Sequence, residues 1–245
     1  MKKIYFASDL HLGLPDYKQS RGREKLFVKW LETIRKDALE IFLVGDVFDF
    51  WWEYKRVVPR GYTRFLGKLS ELTDSGIPIH FFTGNHDIWI FDYLPEETGV
   101  KLHRKPIVRE FFDKKLFIAH GDGLGKGDHS YKLLKKIFTN KPLQWMFTRL
   151  HPNFALWLGN SWSVNSRAAK GITKEYLGPE KELLIQFAKE REKQEHFDYY
   201  VFGHRHLPLD LKVNESSRVI YLGDWIVNNT YGVLDENGFL LQKFS

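Results

Sequence analysis

A largely parallel α/β fold is predicted by three observations on this sequence. Short β-branched or aromatic runs recur, bounded by Gly, Asp or His; apolar faces at helical spacing lie between the early ones; and neither a repeat nor a linker divides the chain. The runs at residues 4–7, 41–44, 77–82, 116–119, 199–202 and 219–222 read as buried strands, since a strand covered on both faces is apolar throughout. Between the first and second, Leu26, Phe27, Trp30, Leu31 and Ile34 share one helical face; between the second and third, Tyr62, Phe65, Leu66, Leu69 and Leu72 do the same. After residue 202 the strands shorten and a second sheet is expected, closed by a hairpin turning at Asp235-Glu236-Asn237-Gly238. At 245 residues, 43% apolar and 28% charged, the chain should form one large globular domain with an insertion.

Composition narrows the chemistry. With no cysteine, disulfides and thiolate metal sites are excluded, so any metal is held by oxygen and imidazole. No run of about 18 apolar residues exists to span a bilayer, and the apolar stretch after Met1-Lys2-Lys3 is too short for a signal peptide, so a cytoplasmic location is expected. The net charge of +6 is local: residues 123–174 carry nine basic residues against Asp128, and the remainder of the chain is slightly acidic.

The ends of the predicted strands carry the chemistry. The first runs into Ser8-Asp9-Leu10-His11, the second into Gly45-Asp46-Val47-Phe48-Asp49, and the third into Gly84-Asn85-His86-Asp87. Two later ones run into His120-Gly121-Asp122 and Gly203-His204-Arg205-His206. In an open parallel sheet the carboxyl ends of the strands lie along one edge, so these side chains should converge. Residues two apart in extended chain point the same way, which lets Asp9 with His11, and His204 with His206, grip one site. Carboxylates gathered beside imidazoles repel and resist desolvation unless a cation compensates them. Asp9, His11, Asp46, Asn85, His120, His204 and His206 are seven ligands, too many for one ion with open positions, and they suit two ions sharing Asp46. A sulfur-free shell admits Mn²⁺, Fe²⁺ or Zn²⁺, with Mn²⁺ preferred.

This set resembles the calcineurin-like metallophosphoesterases, whose blocks D-x-H, G-D-x-x-D, G-N-H-[DE], H and G-H-x-H all occur here in order between Asp9 and His206. The resemblance implies a two-layered β-sandwich flanked by helices (αββα), a bridged dimetal centre and phosphate ester hydrolysis. A pair of ions would acidify a water for in-line attack on phosphorus. His86, next to a ligand but not needed as one, would face the substrate as the donor to developing charge. Asp49, Asp87 and Asp122 are candidates to fix ligand imidazoles in one tautomer. His80, His103, His129, His151 and His196 have no partner at ligand spacing and, except for His129, which lies just beyond a motif, are expected in the core or on the surface.

About eighty residues separate His120 from His204, more than a crossover needs. Residues 123–177 are therefore predicted to form a helical cap on a core of residues 1–122 and 178–245. Leu133, Leu134, Ile137 and Phe138 form one apolar stripe; Leu143, Trp145, Met146, Phe147, Leu150, Phe154, Leu156, Trp157 and Leu158 form a denser one, broken near Arg149, His151 and Pro152. Apolar residues on nearly every side, with the basic charge, suggest a groove beside anionic lipid; single-stranded nucleic acid is the weaker rival partner.

The layout is similar to one subgroup of the family, the UDP-2,3-diacylglucosamine hydrolases, which carry a helical insertion with an N-S-[KR] element, here Asn165-Ser166-Arg167, and an L-G-x-W element, here Leu222-Gly223-Asp224-Trp225. That resemblance implies cleavage of a nucleotide-linked glycolipid at its pyrophosphate, acyl chains in the cap, and head-group contacts from Ser166, Arg167, Lys170 and Lys174 alongside Asn85 and His86. It also implies a peripheral position on the inner membrane and no obligate protein partner. Many members of the subgroup have Arg where this chain has His86, which keeps open another phosphoester as substrate for a soluble phosphodiesterase or nuclease.

Overall fold

The computed structural model describes residues 2–127, 129–170 and 175–245, without the side chains of 129–130 and 164–170. The first half runs β1 (Lys3–Ala7), α1 (Tyr17–Ile34), β2 (Ala38–Val44), α2 (Thr63–Asp74), β3 (Ile79–Phe82), α3 (Tyr93–Thr98), β4 (Lys101–His103), β5 (Ile107–Phe111) and β6 (Lys114–Ala119). Three helices follow, α4 (His129–Phe138), α5 (Lys141–Phe147) and α6 (Pro152–Lys170). The chain ends with α7 (Leu183–Glu192), β7 (Tyr199–Phe202), β8 (Pro208–Lys212), β9 (Arg218–Leu222), β10 (Thr230–Asp235) and β11 (Gly238–Lys243).

The strands form a six-stranded sheet in the order β11-β10-β1-β2-β3-β4 and a five-stranded sheet in the order β5-β6-β7-β9-β8. Alternation along each strand assigns its side chains to two layers. Ile4 and Phe6 of β1, Phe42 and Val44 of β2, Leu116 and Ile118 of β6, and Ile220 and Leu222 of β9 meet between the sheets. The intervening residues Tyr5, Ala7, Ile41 and Leu43 turn outward beneath Phe27, Trp30 and Leu31 of α1 and Phe65 and Leu69 of α2. On the far sheet Phe117, Tyr200 and Tyr221 pack under Leu184, Ile185 and Ala188 of α7. The result is the αββα sandwich.

Two sequence expectations need correction. The strands predicted up to residue 202 do not share one sheet: β1, β2 and β3 belong to one, and β6 and β7 to the other. Nor does the second sheet begin after residue 202. It starts at β5, and the closing hairpin β10–β11 returns to the first sheet, with β10 antiparallel to β1. Because both sheets bury both faces, an apolar run carries no mark of which sheet it joins.

The helices α4 to α6 match the two stripes and the break between them. They meet the sandwich on an aromatic seam that includes Phe50, Trp52, Ile88 and Trp89, against which Phe138, Phe147, Leu156 and Trp162 pack. Ring centroids of Trp52 and Phe147, and of Phe138 and Trp162, are each 4.3 Å apart. Among the described residues no helix is long and apolar enough to cross a membrane.

Candidate metal centre

Parallel strands in both sheets, β1, β2 and β3 in one and β6 and β7 in the other, deliver their carboxyl ends to one rim. The loops that leave them are tied together by backbone bonds: Asp9 N–H donates to Gly45 O, His11 N–H to Asp46 O, and Trp225 N–H to Asp9 O, at 3.0–3.2 Å. Buried Arg23 of α1 donates to the carbonyls of Leu10, His11 and Leu14 at 2.8–3.1 Å, which holds the first loop from behind. Among the described residues nine that are not glycine have positive φ, and five of them are Asp9, His11, Asp46, His204 and His206. Left-handed backbone at such residues is unfavourable and concentrates where side chains must be aimed. At Gly84 and Gly45 the chain passes so close to its neighbours that an added Cβ would run into the Asp46 carboxylate and the His120 ring, respectively.

Each carboxylate is positioned by amides. Asp46 Oδ1 accepts the N–H of His86 at 2.9 Å, and Asp9 Oδ2 accepts that of His204 at 2.9 Å. The other oxygens turn inward. Asp46 Oδ2 lies 3.6 Å from His11 Nε2 and 3.3 Å from His120 Nε2, and Asp9 Oδ1 lies 3.3 Å from His206 Nε2. His11 and His206 bring their Nε2 atoms within 3.2 Å. Asp9, His11 and His206 thus form one potential ligand group and Asp46, His120 and His204 another, each with its ligand atoms within 4.8 Å of one another. A third group of the same kind joins His11 and Asp46 to His86.

The ring tautomers follow from their outer partners. His120 Nδ1 is 2.8 Å from the carbonyl of Val44, His11 Nδ1 is 3.1 Å from Asp49 Oδ1, and His86 Nδ1 is 3.0 Å from the carbonyl of Asp49. Those oxygens only accept, so each Nδ1 carries the hydrogen and each Nε2 is left for whatever occupies the centre.

The electrostatics agree. Burial disfavours a charged His11, yet Asp49, Asp9 and Asp46 outweigh it and push the ring up to about 10. Burial is likewise overcome at His120, by Asp46 and Asp9, again to about 10. His204 is pushed down to about 4 by burial and by its neighbour His120. Asp46 sits well below the usual carboxylate range, because His120, His86 and His11 outweigh its burial. The rim therefore demands positive charge in its midst, which protons or divalent cations can supply. Buried Asp9 Oδ1, Asn85 Oδ1 and His120 Nε2 have no hydrogen-bond partner among the described residues. Since unpaired buried polar atoms are rare and unfavourable, three of them converging from three loops fit an oxygen- and nitrogen-ligated cation pair.

The remaining candidates divide. Asp49 Oδ1 lies against His11 Nδ1 at 3.1 Å. Asp87 does not contact an imidazole in this way: its oxygens accept the amides of Gly84, Val47 and Phe48 at 2.7–3.3 Å, clamping two loops together. Asp122 instead accepts Tyr131 Oη and Lys135 Nζ, each at 2.6 Å, and so ties α4 to the rim. Adjacency to a ligand did not reveal that these carboxylates turn toward backbone and helix. The side chains of Ser166, Arg167 and Lys170, and all of Lys174, lie outside the described residues.

Three participants escaped sequence reasoning. Asp224, 3.6 Å from His206 Nδ1, stands to that ring as Asp49 does to His11, while its Oδ1 accepts the amides of Ile226, Val227 and Asn228. Its signal was present, a Gly-Asp directly after a strand. Arg23 gave none, being one cation among several on a helix. Ser163 of α6, buried, contacts both His86 and Asp49, and one serine among the three of that helix carries no pattern.

Comparison with known proteins bears on the same residues. The family model described as calcineurin-like phosphoesterase matches residues 2–208. A UDP-2,3-diacylglucosamine hydrolase of Porphyromonas gingivalis (strain ATCC BAA-308 / W83) is 40% identical over 254 residues, covering 98% of this chain and 97% of its own. A protein of the same name from Histophilus somni (strain 129Pt) is 27% identical, covering 98% of this chain and 99% of its own. Another, from Vibrio parahaemolyticus serotype O3:K6 (strain RIMD 2210633), is 26% identical over 97% and 96% of the two chains. The family match takes in every loop of the rim from Asp9 to His206, so the geometry and the kinship describe the same centre: the chain is a hydrolase and belongs to the calcineurin-like phosphoesterase family.

Proposed function

We propose that the chain hydrolyses the pyrophosphate bond of UDP-2,3-diacylglucosamine, giving 2,3-diacylglucosamine 1-phosphate and UMP. One observation beyond the kinship carries the lipid: an apolar cavity of about 670 Å³ beside the centre, walled by Phe50, Trp52, Phe138, Phe147, Trp157 and Trp162. Its volume suits a small-molecule site. Phe50, Trp89, Phe138, Gly159 and Trp162 also border a smaller pocket reaching Asp49, Asn85 and His86. Acyl chains in the larger space would leave the phosphates at the rim.

In this reading Asp9, His11, Asp46 and His206 hold one divalent cation, and Asp46, Asn85, His120 and His204 hold the other. Mn²⁺ is preferred, with Zn²⁺ or Fe²⁺ as alternatives. The ions supply charge neutralisation of the phosphoryl oxygens and an acidified water. His86, with Nδ1 engaged, offers Nε2 to the phosphoryl group or the leaving oxygen. Residues 123–177 act as a cap on the core of residues 1–122 and 178–245, with Ser166, Arg167, Lys170 and Lys174 reaching the head group.

The outer face of the cap supports docking on an anionic membrane. Trp145 and Met146 are each 60% exposed, and the Arg149 guanidinium lies 4.5 Å from the centre of the Trp145 ring. Aromatics beside cations suit the boundary between head groups and acyl chains.

The test is UMP release from detergent-dispersed UDP-2,3-diacylglucosamine by the Mn²⁺-loaded protein, beside bis(p-nitrophenyl) phosphate. Release that disappears in His86→Ala supports the reading. Hydrolysis of the chromogenic diester with no turnover of the lipid overturns it.

A further inference from the structure

Among the buried side chains of α6, Ser163 reaches the rim with a hydroxyl. Its Oγ lies 2.9 Å from His86 Nδ1 and 3.2 Å from Asp49 Oδ2. Proton counting leaves one arrangement. The carbonyl of Asp49, 3.0 Å from His86 Nδ1, has no hydrogen to give, so Nδ1 carries one. A protonated Nδ1 cannot accept, so Ser163 Oγ accepts from it, and the single hydroxyl hydrogen is free to go to Asp49 Oδ2. Asp49 Oδ1 in turn takes Nδ1–H of His11 at 3.1 Å.

We infer that Ser163 is a positioning residue: through one hydroxyl, the seating of helix α6 sets the orientation of His86, whose tautomer the Asp49 carbonyl fixes. The inference rests on the role given to His86 in the proposed function. A run of bonds, His11 to Asp49 to Ser163 to His86, joins the ligand side of the centre to the side that faces substrate. Three of its members, His11, Asp49 and His86, belong to loops of the sandwich, and Ser163 alone comes from α6.

The contact has a built surrounding. Ser163 is 6% exposed and Asp49 5%, so water is a poor substitute for either partner. One turn earlier, at Gly159, an added Cβ would run into the ring of Phe50, so α6 approaches the core at contact distance where Ser163 makes its bonds. Gly159 and Trp162 also wall the apolar cavity. Whatever fills that cavity therefore touches the same helix that holds His86, and occupancy of the cavity and aim of the imidazole become linked. With Nδ1 engaged on two oxygens, Nε2 is the only ring atom that can exchange a proton with substrate.

The test compares Ser163→Ala and Ser163→Thr with the parent protein. Loss of an outer partner of an active-site imidazole costs about 10–100-fold in activity. Ser163→Ala should lower kcat about 10-fold on both the lipid and bis(p-nitrophenyl) phosphate, with KM for the lipid changed less than about 3-fold. Ser163→Thr, which keeps the hydroxyl, should restore most of kcat. Independently of turnover, ¹⁵N-labelled imidazole spectra should show His86 as one sharp Nδ1–H form in the parent and in Ser163→Thr, and a shifted and broadened Nδ1–H signal in Ser163→Ala, where the ring keeps only the Asp49 carbonyl. Loss on the chromogenic diester in a protein that never cleaves the lipid would refute the substrate and uphold the inference. A Ser163→Ala protein with parental kcat and an unchanged His86 spectrum overturns it. So does equal loss in both variants with unchanged spectra.

Discussion

The sandwich and the cap solve opposite problems with similar residues. In the sandwich, aromatic side chains such as Phe6, Phe42, Trp30 and Trp225 are fully buried, and hydrogen-bonded loops fix the rim from several directions. In the cap, α5 buries none of its residues, and Trp145, Met146, Phe154 and Trp157 are half or more exposed. A monomeric soluble domain rarely leaves so many large apolar side chains together in water. The sandwich buries its large apolar side chains, whereas helices α4 to α6 leave many of theirs exposed. Their shared boundary, the aromatic seam and Ser163, is where rigidity has to be passed from one to the other.

The largest effect should come from the rim. Asp46→Asn removes the charge that His11 and His120 share, and activity should fall on the order of 10³-fold or more while the fold survives; steady-state turnover with excess Mn²⁺ measures it. A variant retaining a tenth of the activity would show that the rim does not depend on that carboxylate. Next is the layer between the sheets. Phe42→Ala should reduce stability by about 3–5 kcal/mol in urea unfolding, whereas Trp145→Ala on the cap should change it by less than about 0.5 kcal/mol. Equal losses would erase the distinction between the two regions.

A smaller loss, about 10–100-fold in Mn²⁺ affinity or turnover, is expected from Asp224→Asn, because His206 loses the group that orients it. Calorimetric titration with Mn²⁺ distinguishes that from a general loss of structure. The smallest effect is a pH slope confined to the core. Burial, together with His80, Arg109 and Lys101, pushes His103 down to about 4 from its ordinary 6.5. The unfolded chain binds the proton first as pH falls, so stability present at neutral pH should decline between about 6.5 and 4 and then level off. His103→Gln should flatten that part of the urea-midpoint profile.

How much of this was legible in the sequence depends on the kind of pattern each feature leaves. Strands such as residues 41–44 and 199–202 declare themselves because burial on both faces makes them apolar throughout. The same property hid their division between two sheets. Strands β4 and β8, short and only partly buried, leave too little pattern to stand out. The seven rim side chains were legible because each lies within four residues of the end of a buried strand, and strand ends converge whichever sheet they belong to. The partners behind them were not. Asp87 and Asp122 occupy the positions such partners would take, but face backbone amides and α4 instead; Ser163 sits among other serines and asparagines, and only the packing of α6 on the sandwich distinguishes it.

Gly45 and Gly84 carry a final implication for how this architecture tolerates change. At each, one methyl group would press on a rim side chain, Asp46 or His120, without touching its chemistry. Substitutions there should therefore mimic ligand knockouts while every acid and imidazole survives intact. In drift across a lineage, two hydrogen atoms on α-carbons would be guarded as closely as the aspartates and histidines they make room for.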